Sequence, residues 1–167
     1  MPLIDILLPE FDRETGTTRR VLERVPESAF GWKPHERSRT LGALAAHLAA
    51  LPTWTATVMN GDAFDIADEP ASHDAQPASA TELLSTFDEN VASARTLLLN
   101  RSDGELTESW TLKRGALDVF MLPRIAMLRY FVLNHLIHHR GQLSVYLRLQ
   151  GVAVPAMYGP SADEGGF

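Results

Sequence analysis

The chain has no cysteine among its 167 residues. That removes disulfide scaffolds, thiolate metal sites and cysteine nucleophiles together, and it suits a reducing compartment. Long apolar runs are missing too. No apolar run is read as approaching the ~20 residues of a transmembrane helix, so no membrane partner is expected. The opening "MPLIDILLPEFDRE" lacks a basic leader and reaches acidic residues quickly, so it does not read as a secretory signal, and the expected location is cytoplasmic. Positive charge is also short. Fifteen Lys and Arg stand against 21 Asp and Glu, for a net charge of −6, and the arginines are scattered between acids. Nucleic-acid affinity rests on phosphate contacts by clustered cations, so no nucleic-acid partner is expected. Internal repeats and sustained heptads are absent as well.

What is present is the composition of a globular domain, with 45% apolar and 22% charged residues. A chain of this length buries roughly two-thirds of its unfolded surface without covalent staples. Nothing marks a second unit, so residues 1–167 read as a single domain.

Periodicity predicts four helices. Leu8, Phe11, Thr15, Thr18, Leu22 and Val25 recur at steps of three and four, and Pro26 ends that pattern. Leu41, Leu44, Leu48 and Leu51 form a second stripe behind Ser38 or Thr40 as N-cap, with a break or kink at Pro52. "NGDAFDIADEPASHDAQPASA" has no period and reads as a long loop. "SATE", from Ser79 to Glu82, reads as a capping box opening a third helix, with Leu84, Phe87, Val91, Ala94 and Leu98 inward. Trp110–Leu112 and the Gly115 turn suggest a short extended excursion. The last helix runs from Pro123 to Gly151, about 28 residues or ~42 Å. The expected fold is all-α, an up-down four-helix bundle with a long loop between helices 2 and 3.

The last helix carries "LNHLIHHRGQL", with three histidines in five residues. His135 and His139 differ by ~40° around the axis and one turn along it, so their imidazoles can converge on one point. A His135/His138 pair is also permitted by spacing. Leu128, Phe131, Val132, Gln142 and Tyr146 share the face of His135 and His139, which favours that pair. Two histidines leave a divalent ion short of protein ligands, and His47, near the apolar stripe of the second helix, is the best third candidate. A lone helix-face histidine is more often a hydrogen-bonded core group, but two on one inward face need two sets of partners. His35 and His73 fall in loops and read as solvated. Trp32 and Trp54 read as core and dimer-interface aromatics.

Several stretches carry a resemblance: "LLPEFDRE", "GWKPHERSRTLGALAAHLAALPTW", "FVLNHLIHHRGQLSVYLRL" and "VPAMYGPSADE". They cover well over half of the chain, and N-H-x-x-x-H-R-G-Q at Asn134 to Gln142 with the upstream "AAHL" is fairly specific. In these the sequence resembles the DinB family, a group of DinB-like metalloenzymes and bacillithiol- or mycothiol-type thiol S-transferases. The resemblance implies a four-helix bundle of DinB type whose metal ligands are His47, His135 and His139, holding a divalent ion such as zinc or nickel. It also implies a homodimer and a small-molecule substrate. The activity implied is transfer of a low-molecular-weight thiol to an electrophile, or hydrolysis of a small substrate. A non-catalytic metal- or ligand-binding bundle is the alternative. Asn134, Arg140 and Gln142 read either as groups orienting the imidazoles or as plain helix-surface residues. Tyr158, Ser161 and Asp163 belong either to a pocket lining or to a packed tail.

Overall fold

The computed structural model describes residues 1–68 and 76–165; His73 lies outside them. The elements are α1 (Ile4–Leu22), α2 (Leu41–Ala50), α3 (Trp54–Asn60), β1 (Ala63–Asp65), α4 (Ala80–Leu98), α5 (Asp103–Thr107), β2 (Ser109–Arg114), β3 (Leu117–Pro123), α6 (Arg124–Leu128) and α7 (Asn134–Leu149). A π-turn, Arg129–Leu133, joins α6 to α7. The molecule is mostly helical, but the all-α expectation is corrected by a three-stranded sheet of order β1-β2-β3.

The helices form where the apolar spacing placed them. α1 buries Leu7, Phe11, Thr15, Thr18 and Leu22. The two threonines enter the core because each hydroxyl donates to a carbonyl one turn back, Thr15 to Phe11 and Thr18 to Glu14, both at 2.8 Å. α4 buries Leu83, Phe87, Ala94 and Leu98, while Leu84 and Val91 lie at its margin. α1 and α2 each pack against both α4 and α7.

The expected caps are partly realised. Thr40 caps α2, accepting from the Ala43 N–H, whereas Ser38 takes no such part. Ser79 accepts from the Glu82 N–H, but Glu82 turns back to the Ala78 N–H, so the box at "SATE" is half made. A full capping box stands instead at Ser102 and Glu105, opening α5. Gly151, at φ +69°, ends α7 in a Schellman pattern: its N–H donates to Arg148 O and that of Val152 to Leu147 O, both at 3.0 Å.

The sheet grows out of the two stretches that read least clearly. β2 pairs with β3 as a hairpin around Gly115 (φ +58°), with an irregularity at Leu112/Lys113. β1, inside the stretch expected to be loop, pairs with β2 in parallel. Trp110 on β2 is fully buried and donates its indole N–H to Thr57 O at 3.3 Å.

The segment Leu41–Asn60 qualifies a second expectation. It is 20 residues long, with an 18-residue window of mean hydropathy 1.2, enough to cross a membrane by length and composition. Yet 61% of that window is buried inside this fold, and a 3-10 turn at Leu51–Thr53 breaks the segment around Pro52. The chain before α2 is clamped onto it, with the Leu41 N–H on Trp32 O at 2.7 Å and the Gly42 N–H on Phe30 O at 2.9 Å. A Cβ on Gly42 would sit 2.9 Å from that of Phe30, so only glycine permits this approach.

Candidate metal centre

His47 lies in the last turn of α2, and His135 and His139 lie one turn apart on α7, which packs against α2. The ligand-capable nitrogens of all three fall within 4.8 Å of one another. His47 Nε2 is 3.4 Å from His135 Nε2, long for a nitrogen–nitrogen hydrogen bond. Two nitrogens bound at 2.0–2.1 Å to one tetrahedral zinc stand roughly 3.4 Å apart, so this spacing fits a shared ion. The ring centroids of His47 lie 5.1 Å from His135 and 4.6 Å from His139. All three side chains are half-buried.

The His139 imidazole is held from behind. His139 Nδ1 lies 2.7 Å from Gln142 Oε1, which accepts only if Nδ1 carries the proton, leaving the Nε2 lone pair for a ligand role. The Phe131 carbonyl, in the π-turn, acts on the His135 ring in favour of its proton, against the effect of burial. Burial, with the nearby His139, lowers the His135 pKa to about 4. Burial also lowers that of His139, and the Arg39 charge acts on both in the same direction. Both rings are therefore neutral near pH 7, the form that can ligate.

These shifts set a pH dependence for metal-free protein. Unfolded histidine titrates near 6.5, so between about 6.5 and 4 the unfolded chain binds protons that folded His135 refuses. Stability should be level above pH 6.5 and fall as the pH drops towards 4, by on the order of 1–2 kcal/mol after solvent screening. Thermal melts at pH 7.5 and 4.8 check this. An identical acid slope in a His135→Ala, His139→Ala variant would show that other groups cause it.

The remaining candidates separate cleanly. His138 is exposed and meets Gln142 Nε2 at 3.3 Å, outside the cluster. Gln142 does orient an imidazole. Asn134 is exposed, with no side-chain hydrogen bond among the described residues. Arg140 orients none of the three: it is 1% exposed and bonds Glu14 Oε2 at 2.7 Å, Glu14 O at 3.0 Å, Thr18 Oγ1 at 3.2 Å and Tyr158 Oη at 2.9 Å. Spacing explains the reversal, because position 140 points ~100° away from 139.

Tyr158 donates to Glu14 Oε2 at 2.6 Å, Ser161 Oγ donates to Val154 O at 2.6 Å, and Asp163 pairs with Arg148. The tail is thus a packed one over α1 and α7. Its Tyr158 and Ser161 also line an open cleft of about 420 Å³ beside Ile137 and Gly141, away from the histidines. His35 is exposed as expected, accepting from the Arg37 N–H at 3.2 Å. Trp32 packs edge-on to Tyr146 (5.6 Å) and Trp54 stacks on Phe131 (4.7 Å, 11°), both within this chain. Sequence reasoning missed Glu14 and Arg39. An acid one turn after Phe11 on an otherwise apolar face was the available signal for Glu14.

These features define a mostly helical protein with three imidazoles converging from two packed helices. The chain matches the DinB family model over residues 4–165 and belongs to that family. It is 23% identical over 161 residues to the uncharacterized protein YrdA of Bacillus subtilis strain 168, spanning 96% of this chain and 91% of that one. Among solved structures it resembles a DinB-like protein from Bacillus cereus ATCC 10987, with a TM-score of 0.73 and 22% identity over 94% of this chain and 98% of that one. It also resembles the DinB-like protein YjoA of Bacillus subtilis, with a TM-score of 0.69 and 18% identity over 90% and 96%. These two likenesses concern the fold.

Proposed function

We propose that the protein is a metal-dependent enzyme whose ligands are His47, His135 and His139. Its preferred reaction is transfer of a low-molecular-weight thiol to an electrophile, and hydrolysis of a small substrate is the second choice. The supporting observation is the convergence of three half-buried imidazoles, two of them on nitrogens 3.4 Å apart. Three neutral nitrogen donors suit zinc or nickel and leave the ion's full double charge uncompensated. A bound ion would supply Lewis acidity, lowering the pKa of a coordinated water or thiol. The chain's own part is to hold the rings: Gln142 fixes His139, the packing of α2 on α7 sets His47 against His135, and burial keeps His135 and His139 unprotonated. With no cysteine of its own, the protein would take any thiol as cosubstrate.

The reading extends to an up-down bundle of DinB type, supported by the packing of α1 and α2 on both α4 and α7. It extends also to a cytoplasmic homodimer. Support for the dimer is β3, an edge strand with Leu117 63% and Met121 57% exposed, an apolar surface that a second copy would cover. A monomeric mass by light scattering would overturn that part.

The test is metal analysis of untagged protein beside a His135→Ala, His139→Ala variant. About one divalent ion per chain, absent from the variant, is the expected result. No metal in the parent, and no change in its melting temperature with added Zn²⁺ or Ni²⁺, would sink the proposal. Tightly bound metal without turnover of any thiol or ester substrate would favour the non-catalytic bundle.

A further inference from the structure

We infer that the cleft at the N-terminal end of α2 binds an oxyanion, a carboxylate or phosphate, of the small molecule whose other end reaches the histidines. Only the placement of that other end rests on the metal-centre reading.

The cleft has a volume of about 320 Å³, and the described residues lining it are Lys33, Glu36, Arg37, Ser38, Arg39, Thr40 and Gln76. Among its described residues the lining carries Lys33, Arg37 and Arg39 beside Glu36, in a chain whose total charge is −6. Among the described residues, nine Lys and Arg side chains are ion-paired with carboxylates. Lys33 and Arg37 are not among them; the Lys33 ammonium donates to the Glu36 carbonyl at 2.9 Å. A guanidinium presents planar paired donors that match a carboxylate or phosphate, and the Ser38 and Thr40 hydroxyls add neutral ones.

Side chains must do this work, because the first amides of α2 are occupied. Leu41 and Gly42 donate to Trp32 and Phe30 carbonyls, Ala43 to Thr40 Oγ1 at 3.1 Å, and Leu44 to Thr40 O at 2.9 Å. The helix end is therefore no anion cradle by itself.

The cleft adjoins the metal centre through two elements. Leu41 and His47 are six residues apart on α2, a rise of about 9 Å. On α7, Tyr146 lies two turns beyond His139, and its hydroxyl reaches the Arg39 carbonyl at 3.5 Å while Trp32 packs on its ring at 5.6 Å. A ligand about 9 Å long would thus meet cations at one end and imidazoles at the other.

The test is isothermal titration of the full chain with malonate, citrate and inorganic phosphate. Arg37→Glu, Lys33→Ala with Arg37→Ala, and a metal-free His47→Ala, His135→Ala, His139→Ala variant are titrated beside it. We expect saturable binding, weakened at least tenfold by either cleft substitution and changed less than threefold in the histidine variant. The ranking of the two carboxylates against phosphate identifies the natural group. With Zn²⁺ present, 6-mercaptohexanoate should bind at least tenfold tighter than hexanoate, and that gain should vanish in the histidine variant. No saturable binding of any probe, or equal affinity in Arg37→Glu, would overturn the inference. So would anion binding lost only when the histidines are removed, which makes the anion a mere metal ligand. A protein that holds no metal yet keeps Arg37-dependent anion binding would fail the enzyme reading and retain the anion site.

Discussion

Alanine in place of His47 is expected to weaken Zn²⁺ binding by more than 100-fold and to abolish the rise in melting temperature that the ion confers on the parent protein. His47 is the one histidine of the cluster that α2 contributes, so in the proposed centre an ion would join α2 to α7 only through it. A ligand present at 100 to 1,000 times its dissociation constant stabilises by about 2.7–4.1 kcal/mol. For a chain of this size that is a rise of about 5–16 °C. Loss of a direct ligand should exceed the 10- to 100-fold typical of an orienting partner. Gln142→Ala supplies that comparison: it leaves every ligand in place, frees the His139 ring, and should cost about 10- to 100-fold. His138→Ala is the control, since His138 is exposed and outside the cluster. Competition against a chelator of known affinity, with melts alongside, reads all three. An affinity for His47→Ala equal to that of His138→Ala would refute the three-histidine centre.

Arg140→Ala should be the most damaging single change away from that centre. The guanidinium is 1% exposed and Glu14 5%, and the pair is closed by Thr18 and Tyr158. Without Arg140 the Glu14 carboxylate stays buried with only the Tyr158 hydroxyl 2.6 Å away. Removing one partner of a buried pair costs about 3–5 kcal/mol. The corresponding fall in melting temperature is about 6–20 °C. Tyr158→Phe loses one hydroxyl and should cost about 1–2 kcal/mol. Replacing both charges, Glu14→Leu with Arg140→Met, should recover most of the loss because no unpaired charge is left behind. Metal affinity should change less than threefold throughout, since Arg140 faces α1 and not the imidazoles. Arg140→Ala with an unchanged melting temperature would show that the pair stabilises nothing. Arg140→Ala with lost metal and unchanged melting would return Arg140 to the ligand-orienting role.

The helices were legible because their signal is local. Steps of three and four at Phe11, Thr15, Thr18 and Leu22, the Thr40 cap and Gly151 past the last turn each act within a few residues, and the structure honours them. The sheet was only half legible. The Trp110–Leu112 alternation and Gly115 pointed to an extended piece, but β1 is three residues long and is a strand only because β2, almost fifty residues later, offers it a partner. The roles of Arg140 and Gln142 illustrate the same limit. Both follow His139 within three residues, and nothing in that order says which turns to the imidazole and which to Glu14.

What the sequence by itself determined is the periodic and chemical skeleton: four amphipathic segments, no cysteine, and histidines at an i,i+4 spacing that places two imidazoles on one side of a helix. What only the tertiary structure decided is every pairing across segments. His47 meets His135, Glu14 meets Arg140, and the Tyr146 hydroxyl meets the Arg39 carbonyl only once the helices pack. Hydrogen-bond geometry along a helix acts over a turn or two, whereas contacts between helices depend on the whole chain's arrangement of buried surface.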